Sequence, residues 1–447
     1  MADSHGLKRQ VGWFVSASLV LGTLGSNGLF GNYPVTYRIA GPAASFVWIV
    51  TMIFGGFLAM TLAYDFTIWP DKAGSEYAPV RIALGKYLGG LTAWGFYVSW
   101  GTAATIGTLI TGWYIWPTNT TYQTIFTGVT VTVFFIINYF GIKLAGLAEV
   151  IMTLLRIVPT IFVGLVAIPY VNLSNFHPFW VASSEIPGAS ANSLYGMFML
   201  FLAASLYSTW STYATDIFAS IVPEIKDPEK NVPRAGLAST LIPLLFVSLI
   251  TITGIGVLGS DLGTGEAPLF EYSRIVLGGV GLALMWTALI SGTLTNANVA
   301  MIGGSRVLYQ MAVEGDIPKI FAKTNKYGVP IIGLIFTYII NIAMLLYTPI
   351  YAILVAMFQV PYMLTIFLLS VANLKIRATK EWHEKAAWKA PWWLIIGFFI
   401  IGVLSLMYCW AYGILFGWHD IILGAASEVV MLVLLAIPDI MKRREKK

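Results

Sequence analysis

Leu24-Gly25-Ser26-Asn27-Gly28-Leu29-Phe30 interrupts an apolar run that begins near Val11 and is long enough to cross a bilayer. In hydrocarbon every backbone N–H and C=O must find a partner within the protein, so a spanning helix avoids glycine and asparagine at its middle. Such a break survives only where it is buried or lines a cavity, and discontinuous helices of this kind hold the cargo of membrane transporters. A second break, Ser208-Thr209-Trp210-Ser211-Thr212-Tyr213-Ala214-Thr215, follows about one half-protein later. Paired interruptions at matching places point to transport.

The rest of the chain fits a polytopic membrane protein. It is 57% hydrophobic and 11% charged, against roughly 25% charged in soluble domains. Apolar runs recur from end to end, and the spacing predicts twelve spans near 11–32, 43–66, 88–116, 123–140, 149–170, 193–222, 237–259, 275–305, 329–347, 350–373, 391–416 and 420–440. The polar N-terminus carries Lys8 and Arg9 and runs straight into a full-length span, which argues against a cleaved signal. With the N-terminus inside, all 26 lysines and arginines except Arg38, Arg156 and Arg274 fall on cytoplasmic segments, and segments 171–192 and 259–273 hold none. That asymmetry sets both termini in the cytoplasm. The net charge of +5 is then accounted for by loops beside an anionic leaflet and implies no nucleic-acid partner.

Enzyme chemistry has no visible seat. Cys409 is the single cysteine, and His5, His177, His383 and His419 lie in tails or loops without ligand spacing, so no metal or cofactor is expected. Asn119-Thr120-Thr121 and Asn172-Leu173-Ser174 match the glycosylation pattern on predicted outer loops.

Three blocks carry a resemblance. Pro223-Glu224-Ile225-Lys226-Asp227-Pro228-Glu229-Lys230-Asn231-Val232-Pro233-Arg234-Ala235 resembles the loop after span six of the amino acid–polyamine–organocation (APC) transporters. Ser305-Arg306-Val307-Leu308-Tyr309, with Gly315-Asp316-Ile317-Pro318, resembles that family's loop after span eight. Pro70-Asp71-Lys72-Ala73-Gly74-Ser75-Glu76-Tyr77, with Arg81 and Gly85, resembles its segment after span two. The blocks occur in the family's order.

The resemblance implies an all-α membrane protein of the LeuT type. Residues 11–170 form one five-helix repeat and 193–373 its inverted copy, with spans one and six broken and two further helices in 391–440, all within a single transmembrane domain, 1–447. It also implies a site. Gly25, Ser26, Asn27 and Gly28 stand where the family receives the substrate carboxylate on free backbone N–H groups at a half-helix N-terminus; Ser26 replaces a glycine and Asn27 a serine. Ser211, Tyr213, Ala214 and Thr215 stand where carbonyls receive the ammonium, with Trp210 as a lid. Arg156 occupies the place of a sodium ion between spans one, five and eight, a fixed cation because guanidinium does not release its proton. Asp216, an intramembrane acid, either carries a coupling proton or organises the second break by accepting hydrogen bonds, and the second role is the one favoured. No other deep acid is expected to face the site, and span three, rich in Gly101, Ala103, Ala104, Gly107 and Gly112, reads as close packing.

The expectation is a sodium-independent permease of amino acids or related small amines in the cell membrane, coupled to protons or working by exchange. The rival is a transporter-like sensor that binds an amino acid without moving it. The partners are the small-molecule substrate and the bilayer; oligomeric state is not readable.

Overall fold

The computed structural model describes residues 6–24, 27–181, 191–346 and 349–445; of Asn27, 349–359, 415–416 and 438–445 only the helical path is described. Among the described residues the chain is helical, without strands beyond two isolated bridges, Val11 with Ile225 and Thr324 with Pro330. Eight helical stretches are long and apolar enough to cross a membrane, and Trp13–Thr23 and Ile331–Leu346 are shorter apolar helices.

In chain order, α1 (Trp13–Thr23) and α2 (Asn27–Ala40) flank the first break, followed by α3 (Ala44–Ile68) and the short α4 (Tyr77–Leu84). Next, α5 (Lys86–Phe96) passes through a π turn (Tyr97–Gly101) into α6 (Ala103–Ile115). Then come α7 (Thr120–Tyr139) and α8 (Ile142–Ala167). α9 (Leu194–Thr212) gives way to a 3₁₀ segment (Ala214–Glu224), and α10 (Pro228–Leu258) and the one-turn α11 (Asp261–Thr264) follow. α12 (Pro268–Val313), α13 (Ile331–Leu346), α14 (Pro349–Ala378), α15 (Lys380–Lys385), α16 (Trp392–Phe416) and α17 (His419–Glu445) complete the order.

α12 has 46 residues, about 69 Å at 1.5 Å per residue, more than twice the ~30 Å of hydrocarbon. Gly278, at φ 58°, divides it into a short arm and a long helix; φ in this region costs other residues strain. The same helix reaches well beyond the expected span 275–305 at both ends.

Apolarity is turned outward. Val129, Leu147, Val158, Leu245 and Val280 are exposed, as a lipid-facing belt requires, while hydroxyl and amide side chains pair inside. Thr51 meets Ser208 at 2.9 Å, and Asn138 Nδ2 donates to Asn298 Oδ1 at 2.8 Å. The π turn frees backbone groups that Asn341 of α13 satisfies: its Nδ2 donates to the Gly101 carbonyl at 2.6 Å, and its Oδ1 accepts from the Thr105 amide at 3.0 Å. Such turns cluster at functional positions.

One end of the bundle is tied by charge. Arg306 Nε donates to Glu224 Oε2 at 3.0 Å with both side chains buried, Arg81 Nε to Asp316 Oδ2 at 2.7 Å, and Lys72 Nζ to Glu314 Oε1 at 2.6 Å. The amides of Gln10 and Val11 donate to the Glu224 carbonyl at 2.7 and 3.0 Å, so the N-terminal stretch, the 3₁₀ segment and α12 meet there.

Breaking a buried pair from one side strands the other charge. Arg306→Ala is expected to lower stability by about 3–5 kcal/mol, read as a fall in Tm in detergent. Arg306→Met with Glu224→Leu should recover most of it.

Candidate functional site

The first break begins where α1 runs out of partners. Leu24 turns to extended backbone (φ −63°, ψ 122°), and carbonyls of the last turn lose their helical donors. Arg156 of α8 supplies replacements: its guanidinium donates to the carbonyls of Leu21, at 3.4 Å, Gly22 and Leu24. Thr295 Oγ1 of α12 also donates to the Gly22 carbonyl at 2.6 Å, and Thr153 Oγ1 donates to that of Ser18 at 3.1 Å. Arg156 is 1% exposed and stands 5.7 Å from the Phe246 ring centroid. It does not snorkel; α1, α8 and α12 meet on it.

The second break is a change of helix type. α9 stops at Thr212, Tyr213 carries ψ to −3°, and the chain tightens into the 3₁₀ segment. Gly28, in the first turn of α2, lies directly on Ser211, and a Cβ there would collide with Ser211 Oγ and come within 3.3 Å of Trp210 Cδ1. A glycine is required because the two breaks touch.

Beside this junction lies a cavity of about 50 Å³, room for roughly four waters. Gly28, Trp210, Ser211 and Ala214 line it, joined by Thr23, Ser99, Trp100, Ile106, Asn296 and Tyr362. No charged side chain is among the lining residues. Asp216 stands just behind: Trp100 Nε1 donates to its two oxygens at 3.0 and 3.1 Å, and the Tyr362 hydroxyl donates to Oδ2 at 2.8 Å.

The expected residues are thus unevenly placed. Gly28, Trp210, Ser211 and Ala214 meet at the cavity, with Asp216 one side chain away. Tyr213 is buried with its hydroxyl turned toward Ser405 and Tyr408 of α16 and away from the cavity, and Thr215 Oγ1 braces α3 by donating to the Gly55 carbonyl at 2.6 Å. Gly25 and Ser26 lie outside the described residues, and Asn27 opens α2.

Some of the wall was not expected. The span read as close packing contributes Ser99, Trp100, Ala103, Ile106, Gly107 and Ile110, because the π turn rotates them inward and no residue pattern announces a π turn. Further acids are buried in the bundle, although none of them lines the cavity. Glu149 is fully buried and its Oε2 accepts from Asn298 Nδ2 at 2.7 Å, while Asp65 and Glu76 are buried as well. α8 begins at Ile142 rather than near 149, which carries Glu149 two turns into the helix.

The sequence profile described as amino acid permease matches residues 11–437. A D-serine/D-alanine/glycine transporter of Escherichia coli is 25% identical over 426 residues, covering 86% of this chain and 85% of that protein. A branched-chain amino acid permease of Lactococcus lactis is 25% identical over 339 residues, 71% of each chain. A glutamate/serine transporter of Bacillus subtilis is 24% identical over 364 residues, 75% of this chain and 65% of its own.

Gly28→Val is expected to push the breaks apart and reduce ligand affinity by at least about tenfold, ~1.4 kcal/mol, read by thermal shift with ligand. Because the collision is with Ser211, Gly28→Ala should be partly rescued by Ser211→Gly and not by Ser208→Gly.

Proposed function

The chain belongs to the amino acid permease family, and on that premise we propose that this multi-pass membrane transporter carries a small amino acid by alternating access around the cavity between the two breaks. The observation that carries the reading is the contact of Gly28 with Ser211, which joins both broken segments at one buried pocket. Free N–H groups at the start of α2 and the positive end of its dipole suit a carboxylate. Carbonyls at the α9 terminus suit an ammonium, and Trp210 closes over the substrate. An uncharged lining and about 50 Å³ of space favour a small zwitterion with a neutral side chain. Glycine, serine, alanine and branched-chain amino acids appear in the names of its relatives, beside glutamate in one of them, and the neutral names are in keeping with that class.

The proposed scaffold has twelve spans, built as two inverted five-helix repeats with α16 and α17 appended. Helix packing supports it. If each span is exchanged with the one five places later, the contact of span three (α5–α6) with span ten (α14) becomes that of span eight (α12) with span five (α8), and both occur. The contact of α6 with α7 becomes that of α12 with α13, and the contact of α3 with α9 becomes that of α10 with α1; these occur too. The distribution of lysine and arginine supports a cytoplasmic setting for both termini, and on this reading, in the cell membrane, the charge-tied end is the inner one.

Arg156 supports sodium independence. Its guanidinium already satisfies the carbonyls that a cation beside the first break would use, and it keeps its charge. Uptake would then be driven by protons or by exchange.

The test is uptake into proteoliposomes of any amino acid that stabilises the purified protein. Accumulation should be unchanged when sodium is replaced by choline and should respond to an imposed pH gradient or to internal amino acid. Accumulation that requires sodium overturns the coupling scheme; ligand stabilisation without uptake or exchange overturns transport.

A further inference from the structure

Glu76 is an acid with no cation beside it and no strong donor to hold its charge. It ends the loop after α3, is fully buried, and neither carboxyl oxygen has a hydrogen-bond donor of ordinary geometry. The group it does meet is a second carboxyl, that of Asp216, in side-chain hydrogen-bonding contact. The turn that aims it inward is strained: Gly74 has φ 81°, and Ser75, a residue with a Cβ, has φ 46°. Strain of this kind, about 1–3 kcal/mol, is retained where the surroundings demand one side-chain direction. Ser75 Oγ donates to the Asp216 carbonyl at 3.0 Å, tying the turn to the 3₁₀ segment.

Two carboxylates in contact in a buried site cannot both be charged, so the contact itself requires a proton. Its position follows from the donors. Trp100 points its hydrogen at Asp216, and the Tyr362 hydroxyl, 3.0 Å from the Tyr213 carbonyl, lies nearer to Asp216 Oδ2 at 2.8 Å, which favours the ion there. Glu76 is approached only by its own amide and by the Ser75 hydroxyl, whose hydrogen goes to the Asp216 carbonyl, and as the acid it becomes the donor to Asp216.

We propose that Glu76 and Asp216 form a one-proton site that couples the central cavity to sealing of the cytoplasmic end. Trp100 and Tyr362 each line the cavity and bond Asp216, so occupancy of the cavity reaches the pair through one side chain. On the other side, the loop that carries Glu76 is pinned to α12. The Ala73 amide donates to Gln310 Oε1 at 2.9 Å, and the Tyr77 hydroxyl to Asp316 Oδ2 at 2.6 Å. With the proton bound, the pair carries one negative charge and a hydrogen bond that draws the loop to the 3₁₀ segment. When the proton leaves from Glu76 to the cytoplasm, two carboxylates remain and repel, and the inner end opens. The proposal rests on the transport reading above and names the proton carrier of that same site.

The surroundings leave the pair to titrate on its own. The Tyr362 hydroxyl of α14 faces both carboxyls, with that of Tyr213 next to it. α1 and α9 contain no Asp, Glu, Lys, Arg or His. Asp65 of α3 accepts from Asn373 at 3.2 Å, and Glu229, Lys230 and Arg234 of α10 sit in its first turns. Lys72, Arg81, Glu314 and Asp316 pair with one another, as do Glu224 and Arg306. Burial first, and Asp216 second, raise the Glu76 carboxyl well above the ordinary carboxylate range. The folded chain therefore keeps a proton that a free glutamate releases near pH ~4.3. The tie contributes fully below that range and weakens as pH rises toward the folded value.

The experiment compares wild type with Glu76→Gln, which keeps an amide donor for Asp216, and with Glu76→Leu. Infrared difference spectra at neutral pH should lose one protonated-carboxyl band in both variants, a readout that needs no substrate. In proteoliposomes, one pH unit drives accumulation up to about tenfold for one proton per substrate in the wild type. In the variants it should drive none, while counterflow exchange continues. An unchanged infrared band, or accumulation that still follows the pH gradient in a variant, overturns the proposal. A band lost in the variants of a wild type that neither takes up nor exchanges amino acid assigns the proton to the pair and overturns only the transport reading.

Discussion

The buried Arg156 guanidinium is the contact on which the central site depends. A helix that stops inside hydrocarbon leaves carbonyls with no water to accept from. Here Arg156 and Thr295 take those of Leu21, Gly22 and Leu24. A buried charge is itself costly unless it is hydrogen-bonded, so the break and the arginine need each other. With α1 held at its end, α2 can start afresh at Asn27 and present Gly28 to Ser211. The cavity, the π turn and Asp216 are arranged around that junction.

Much of this is legible in the residues. Both helix interruptions fall within the segments marked by glycine, asparagine and hydroxyl content. A free backbone group in lipid is so costly that a spanning segment of this composition has little choice but to break where it is buried. Of the apolar runs, eight helical stretches among the described residues are long and apolar enough to cross a membrane, α1 and α13 are shorter apolar helices, and α12 is much longer than a crossing. The burial of Arg156 can be anticipated because a cation in the middle of an apolar helix has few places to go. What it touches cannot.

The less legible part is what arises from helix rotation. Tyr213 and Ala214 are neighbours, yet one turns toward α16 and the other lines the cavity, since a change from α to 3₁₀ resets the direction of successive side chains. The inward turn of Trp100 depends on a π turn stabilised by Asn341, far off in sequence and unremarkable there. Glu76 sits in a loop segment whose composition reads as polar punctuation. Its burial comes from the left-handed Gly74–Ser75 turn and from α12 closing over it, and neither is written in a local pattern.

The two ends of the bundle differ in how they are held, and the difference has a direction. At the end where the N-terminal stretch lies, Arg9 reaches Asp71, Lys72 reaches Glu314, Arg81 reaches Asp316 and Arg306 reaches Glu224. These pairs link segments far apart in sequence. At the opposite end the Arg274–Glu271 and His419–Asp420 pairs are local to one stretch of chain, and open clefts lie beside Arg38 and Glu266. Most exposed pairs are worth less than ~1 kcal/mol, so the number of bridges matters less than the buried Arg306–Glu224 pair among them. Separating that pair leaves two charges in a low-dielectric site unless water enters with the movement. Any movement that parts the 3₁₀ segment from α12 would therefore have to admit water to Glu224 and Arg306.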